Sequence, residues 1–181
     1  MSEKELIEAC QKGVRKAQQL LYDRYSPKMF GLCRRYLRKR EDAEDVLIDG
    51  FYKVLTHIQQ YQGNGSFEGW IRRIMVNEAL MFLRKRQPFQ WTDELHPNMD
   101  MQYRASIEDE LAAQDILRLL NDLPPGYRTI FNLYVIEGYK HREIADMLGI
   151  SINTSKSQLI LAKKRLRAMV IKNEGGRVGS E

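Results

Sequence analysis

The sequence predicts an all-α protein of two small helical domains joined by an acidic linker, and three observations carry that prediction. Apolar residues recur at helical spacing through most of the 181 residues, and no alternating run is bounded by hairpin turns. Between two periodic blocks lies a stretch, 88–107, with two of the five prolines and no sustained period. Charge is also segregated, with net +6 over residues 1–88, −6 over 89–125 and +5 over 126–181. Two basic blocks flanking an acidic middle suit two separate contacts with a polyanion.

In chain order, the first helix is expected around Lys4–Gly13. A long helical stretch follows from Arg15 to Arg38, in which Pro27 marks a kink or restart. The next helix is expected to begin with Asp42 as its N-cap and to run to about His57. Its buried stripe is Leu47, Phe51, Val54 and Ile58, at i, i+4, i+7 and i+11. Gly63, Asn64 and Gly65 form a turn, and Ser66 caps a helix from Phe67 to about Arg86. On that helix Trp70, Ile74 and Met81 read as apolar positions, with Trp70 in the core; Arg73, Asn77 and Arg84 share another face. The domains then read as 1–88, a linker over 89–107, a second domain over 108–173 and a tail over 174–181. The second domain opens with Ile116, Leu119, Leu120 and Leu123 at i, i+3, i+4 and i+7, stopped by Pro124-Pro125.

Composition excludes several classes. Hydrophobic residues make up 43% and charged ones 29%, an ordinary globular balance. No apolar run approaches the roughly 18 residues a membrane span needs, and the acidic start MSEKELIEACQKG lacks the parts of a signal peptide. A cytoplasmic protein with no membrane insertion of its own is expected. Cys10 and Cys33 have no C-x-x-C spacing, and His57, His96 and His141 are scattered, so neither a metal nor a cofactor is expected. Acidic residues lie on helix faces without a Gly-rich phosphate loop, which argues against an enzyme.

The chemistry concentrates near the C-terminus, in HREIADMLGISINTSKSQLILAKKRL. A short amphipathic helix with Ile144, Ala145 and Leu148 inside ends at Gly149, Ile150 plugs the corner, and Ser151 caps a new helix reaching about Lys172. Two helices joined by a short turn containing Gly are the helix-turn-helix unit, whose second helix enters the DNA major groove. Leu159, Ala162, Leu166 and Met169 should face the core, while Lys156, Ile160, Lys163 and Arg167 line another, basic face. A solvated lysine face is the plainer alternative; the Gly turn and the helix before it favour DNA. An autonomous helix-turn-helix regulator would account for this half of the chain alone.

Both halves resemble one family, the bacterial RNA polymerase sigma factors of the extracytoplasmic-function type. LYDRYSPKMFGLCRRYL, REDAEDVLIDGFYKV and GSFEGWIRRIMVNEALMFLRKR are similar to its region 2. LPPGYRTIFNLYVIEGYKHREIADMLGIS and TSKSQLILAKKRL are similar to its region 4. The resemblance implies a promoter-recognition subunit with core RNA polymerase, promoter DNA and an anti-sigma factor as partners. It implies that Asp42, Asp45, Asp49, Tyr52 and Lys53 dock on the polymerase. Tyr61, Gln62, Gly63, Asn64, Gly65, Ser66 and Phe67 would capture an extruded base at the minus-10 element, with Arg72, Arg73 and Asn77 on phosphates. Asn153, Thr154, Lys156, Ser157, Ile160, Lys163, Lys164 and Arg167 would meet the minus-35 element. The chain departs from the family's habit at Gln158 and Leu161, often basic, at Ser155, often valine, at Ile48, often glutamine, and at Gly50, a weak helix former.

Overall fold

A computed structural model describes residues 1–86 and 113–177, and among these the regular structure is helical, with no strand. Contacts divide the chain into two units, Met1–Pro88 and Phe89–Glu181. The expected linker, 89–107, falls outside the described residues.

In the N-terminal unit, α1 (Glu3–Gln11) starts at a capping box. The Ser2 hydroxyl accepts from the Glu5 amide at 3.3 Å, and the Glu5 carboxylate accepts from the Ser2 amide at 2.8 Å. α2 (Arg15–Tyr36) runs unbroken through Pro27, where a kink or restart was expected. Pro27 and Asp23, whose carbonyl it leaves unbonded, are both exposed, so water can take that carbonyl. α3 (Arg40–His57) begins two residues before the expected cap. Asp42 lies inside its first turn with Glu41, near the positive end of the helix, and accepts from Arg86 Nη1 at 3.0 Å. A 3₁₀ turn, Ile58–Gln60, leads to the loop before α4 (Phe67–Arg86).

α2, α3 and α4 pack on one another and α1 lies on α2. Leu21, Met29, Val54, Ile71 and Met75 are enclosed between them, as is the expected stripe of α3. Both cysteines are buried apolar fillers; enclosure pushes the Cys33 thiol up to about 12. Gly50 is explained by packing. A Cβ there would collide with Met75 Sδ, so glycine lets α4 approach α3. Gly50→Val is expected to lower the unfolding free energy by about 1–3 kcal/mol through overpacking, read as a lower urea midpoint at unchanged slope. An unchanged midpoint would show that Met75 swings clear without cost.

In the C-terminal unit α5 (Ala113–Asp122) buries Leu119 and Leu120, and Leu123 follows it into the core. Pro124-Pro125 ends α5 and also begins α6 (Pro125–Phe131), with Pro125 at the first position, where a missing N–H is harmless. A π-helical turn, Asn132–Ile136, extends α6 before Gly138. α7 (His141–Leu148) and α8 (Ile152–Arg177) complete the unit. α8 continues five residues beyond the expected end at Lys172, into the stretch expected to be tail. No proline stands there to stop it, and two glycines, though poor helix formers, do not forbid the conformation. Ile130, Leu133, Ile144, Leu159, Ala162 and Leu166 form the core.

Candidate nucleic-acid interface

The loop before α4 stands on an aromatic base. Phe67 is 0% exposed, edge-on to Tyr25 at 5.7 Å and to Tyr61 at 4.9 Å between centroids, and stacked on Trp70 at 5.7 Å. Phe67 therefore lies beneath the loop, and the expectation that it touches a base is corrected. Trp70 and Ile74 are half-buried rather than core, because α4 turns Ile71, Met75 and Val76 inward instead. The Tyr61 hydroxyl donates to the Gly65 carbonyl at 2.9 Å, pinning the loop across its width. Gly63 and Gly65, at φ 75° and 94°, adopt the left-handed backbone this tight path requires. Ser66 caps α4, its hydroxyl accepting from the Gly69 amide at 3.0 Å. Gln62 and Asn64 are exposed, and the 3.5 Å between their amide groups is too long to hold either.

Beside the loop, α4 presents Arg73, Asn77, Arg84 and Lys85 to solvent, with Arg72 half-buried. One acid on this helix is turned inward: Glu78, buried, accepts from Lys53 Nζ at 2.6 Å. Lys53 is thus tied to α4, and Asp42 is tied to Arg86, so two of the five expected docking residues are engaged within the unit. Asp45, Asp49 and Tyr52 are exposed as expected. Ile48 joins them at 61% exposure, beside Tyr52 at 71%.

The C-terminal unit carries the helix-turn-helix joint. Gly149 has φ 67° and its amide donates to the Ala145 carbonyl, a left-handed cap that ends α7. Ile150 N–H donates to the same carbonyl at 3.1 Å. The Ser151 hydroxyl accepts from the Thr154 amide at 2.9 Å and lies 2.8 Å from the Thr154 hydroxyl. Asn153, Lys156 and Lys164 are exposed, while Ile160, Lys163 and Arg167 are half-buried on the same side. Ser157 is half-buried and donates to the Thr154 carbonyl at 3.1 Å. Gln158 and Ser155 are buried, so the missing base at Gln158 removes no charge from the exposed face. His141 bonds Ser155 across the joint. Neither that pair nor Glu78 has a sequence signal, because contacts 14 and 25 residues apart follow no helical period.

Among the described residues no cluster of three or more His, Cys, Asp or Glu has the arrangement to hold a metal, and no described helix is long and apolar enough to cross a membrane.

Sigma-70 region 2 matches residues 21–89 and sigma-70 region 4 matches residues 113–166. The chain is 28% identical to the ECF RNA polymerase sigma-E factor of Haemophilus influenzae over 92% of its length and 94% of that protein. It is 27% identical to the RNA polymerase sigma-H factor of Pseudomonas aeruginosa, covering 91% of each chain. In fold it is similar to the sigma factor RpoE of Bartonella quintana, solved with the anti-sigma factor NepR, at TM-score 0.53, 22% identity and coverage of 84% of this chain and 95% of that one. Regions 2 and 4 thus follow one another in order, one on each helical unit, and the chain belongs to the sigma-70 family as a two-domain sigma factor of the extracytoplasmic-function type.

Proposed function

We propose that this sigma factor directs core RNA polymerase to promoters by reading two DNA elements, one with each unit, and aids opening of the duplex at the upstream edge of the bubble. The observation that carries this reading is the loop Tyr61–Ser66, with exposed amides standing on a buried aromatic base beside an exposed basic helix face. Such a surface suits an unstacked base, since amides pair with base edges while arginines hold phosphates. Gln62 and Asn64 read the base at the minus-10 element. Tyr61 and Phe67 position them, and Arg72, Arg73 and Asn77 follow the backbone. At the minus-35 element, the first turns of α8 present Asn153 and Lys156, with Ile160 toward a thymine methyl group. Thr154 and Ser157 shape that turn, and Lys163, Lys164 and Arg167 contact phosphate.

Asp45, Ile48, Asp49 and Tyr52 dock on the polymerase. Asp42 and Lys53 act indirectly, by fixing α3 to α4. The protein works in the cytoplasm and performs no covalent chemistry. The Bartonella quintana relative, bound to an anti-sigma factor, supports a partner of that kind here. Two tethered weak contacts give a selective whole.

Run-off transcription on a genomic fragment library, with core polymerase and this protein, tests the proposal. Initiation at defined sites above core alone is expected. Tight operator binding without polymerase and no such initiation would make the chain an autonomous regulator. In the same assay Asn64→Ala is expected to change base preference at the minus-10 element while leaving thermal stability within about 0.5 kcal/mol; an unaltered sequence profile would remove Asn64 from the reading residues.

A further inference from the structure

α7 and α8 meet at a polar contact between His141 and Ser155. His141, the first residue of α7, places Nδ1 2.9 Å from the Ser155 hydroxyl, and Ser155 is fully buried. On its other side the imidazole stacks on Tyr134, with centroids 4.4 Å apart and planes 22° from parallel. One ring therefore joins the π-helical turn, the start of α7 and the first turn of α8. The charged groups whose field acts on it are Lys156 and Lys163, both on α8. The π-helical turn presents the Tyr134 ring, and on α7 itself the Glu143 carboxylate is turned to the Lys140 amide at 2.8 Å. Burial first, and then the two lysines, hold the His141 pKa below its ordinary value.

We infer that His141 is a positioning residue for duplex reading by α8, and that DNA phosphate drawn to Lys156 and Lys163 favours its charged form, so that the grip on DNA strengthens as pH falls. This rests on the proposed DNA-facing role of those lysines. In the free protein two cations oppose a third charge. Phosphates between the lysines reverse that potential, so the bound state accepts a proton that the free state resists. Affinity then rises on acidification by up to about tenfold for each unit by which the bound pKa exceeds the free one. The contact to Ser155 survives protonation, because an imidazolium donates from Nδ1 and a helical serine hydroxyl can turn to the carbonyl four residues back.

For the free chain the sign is opposite. The fold favours neutral His141, so its contribution to stability is complete above about pH 6.5, the ordinary value, and declines as pH falls through the lowered folded value. Acid thus loosens the unliganded joint while tightening the DNA-bound one. A purely structural histidine would show only the first effect.

The test uses holoenzyme, assembled from core polymerase and the full chain, binding a fluorescent promoter duplex between about pH 8 and pH 5.5, the range in which histidine titrates. Wild type is compared with His141→Phe and His141→Tyr, which keep a ring to stack on Tyr134. Relative to both variants, wild type is expected to gain about two- to tenfold in affinity on acidification. That gain should vanish when Lys156→Ala and Lys163→Ala are combined. Parallel pH profiles for wild type and both ring variants would overturn the inference. If the lysine substitutions leave promoter affinity unchanged, the DNA-facing reading itself fails; if they weaken binding and the profiles stay parallel, the role of His141 alone fails.

Discussion

Tyr52→Ala is expected to weaken binding of core polymerase by about thirtyfold or more, the loss that follows truncation of an interface aromatic worth about 2 kcal/mol. Stability should stay within about 0.5 kcal/mol, because Tyr52 is 71% exposed and supports nothing beneath it. An isoleucine and a tyrosine one turn apart on an outer helix face, with Asp45 and Asp49 beside them, gain nothing from the fold of the free chain. An apolar centre with a charged rim is the pattern of a protein interface. Competition with a reference sigma factor for core polymerase measures the effect, alongside Ile48→Ala. If the double variant competes within about threefold of wild type, docking lies on another face.

Phe67→Ala is expected to lower the unfolding free energy of the N-terminal unit by about 3–5 kcal/mol, the cost of emptying an enclosed aromatic site. Promoter opening should fall with it, since Tyr61 and Trp70 would lose the ring they share. Phe67→Leu, which refills much of the volume, should restore most of the stability and much of the initiation. Urea unfolding and run-off transcription on the same proteins separate this from Asn64→Ala, which should alter preference without altering the midpoint. A Phe67→Ala protein of normal stability that initiates poorly would return Phe67 to the DNA surface.

Much of the fold was legible because it depends on local, periodic signals. The stripe of α3, the Ser66 and Ser151 caps and the Gly149 turn each declare themselves within a few residues. What escaped involves partners from elsewhere in the chain. Asp42 looked like a cap because a cap is local, whereas Arg86, 44 residues away, gives it a different task. Trp70 looked like core because its spacing to Ile74 is helical, yet the inward face is set by where α2 and α3 press on α4. Phe67 resembled a base-contacting residue by position alone, and only the packing of Tyr25, Tyr61 and Trp70 around it reveals a foundation instead of a contact. Gln158 and Gly50 looked like losses of charge and of helix propensity; Gln158 is buried, and Gly50 accommodates the close approach of Met75.

The two ion pairs between α3 and α4, Asp42–Arg86 and Lys53–Glu78, together with the bare backbone of Gly50 under Met75, give the N-terminal unit the character of a gauge block. One of these helices carries the proposed polymerase contact and the other begins at the proposed base-reading loop. With their separation fixed at three points along their length, the span from docking face to strand is a machined dimension of the protein. On the proposed reading, where the bubble begins is then set by the width of a helix pair, and a lengthened surface loop elsewhere on the chain would leave that start site where it is.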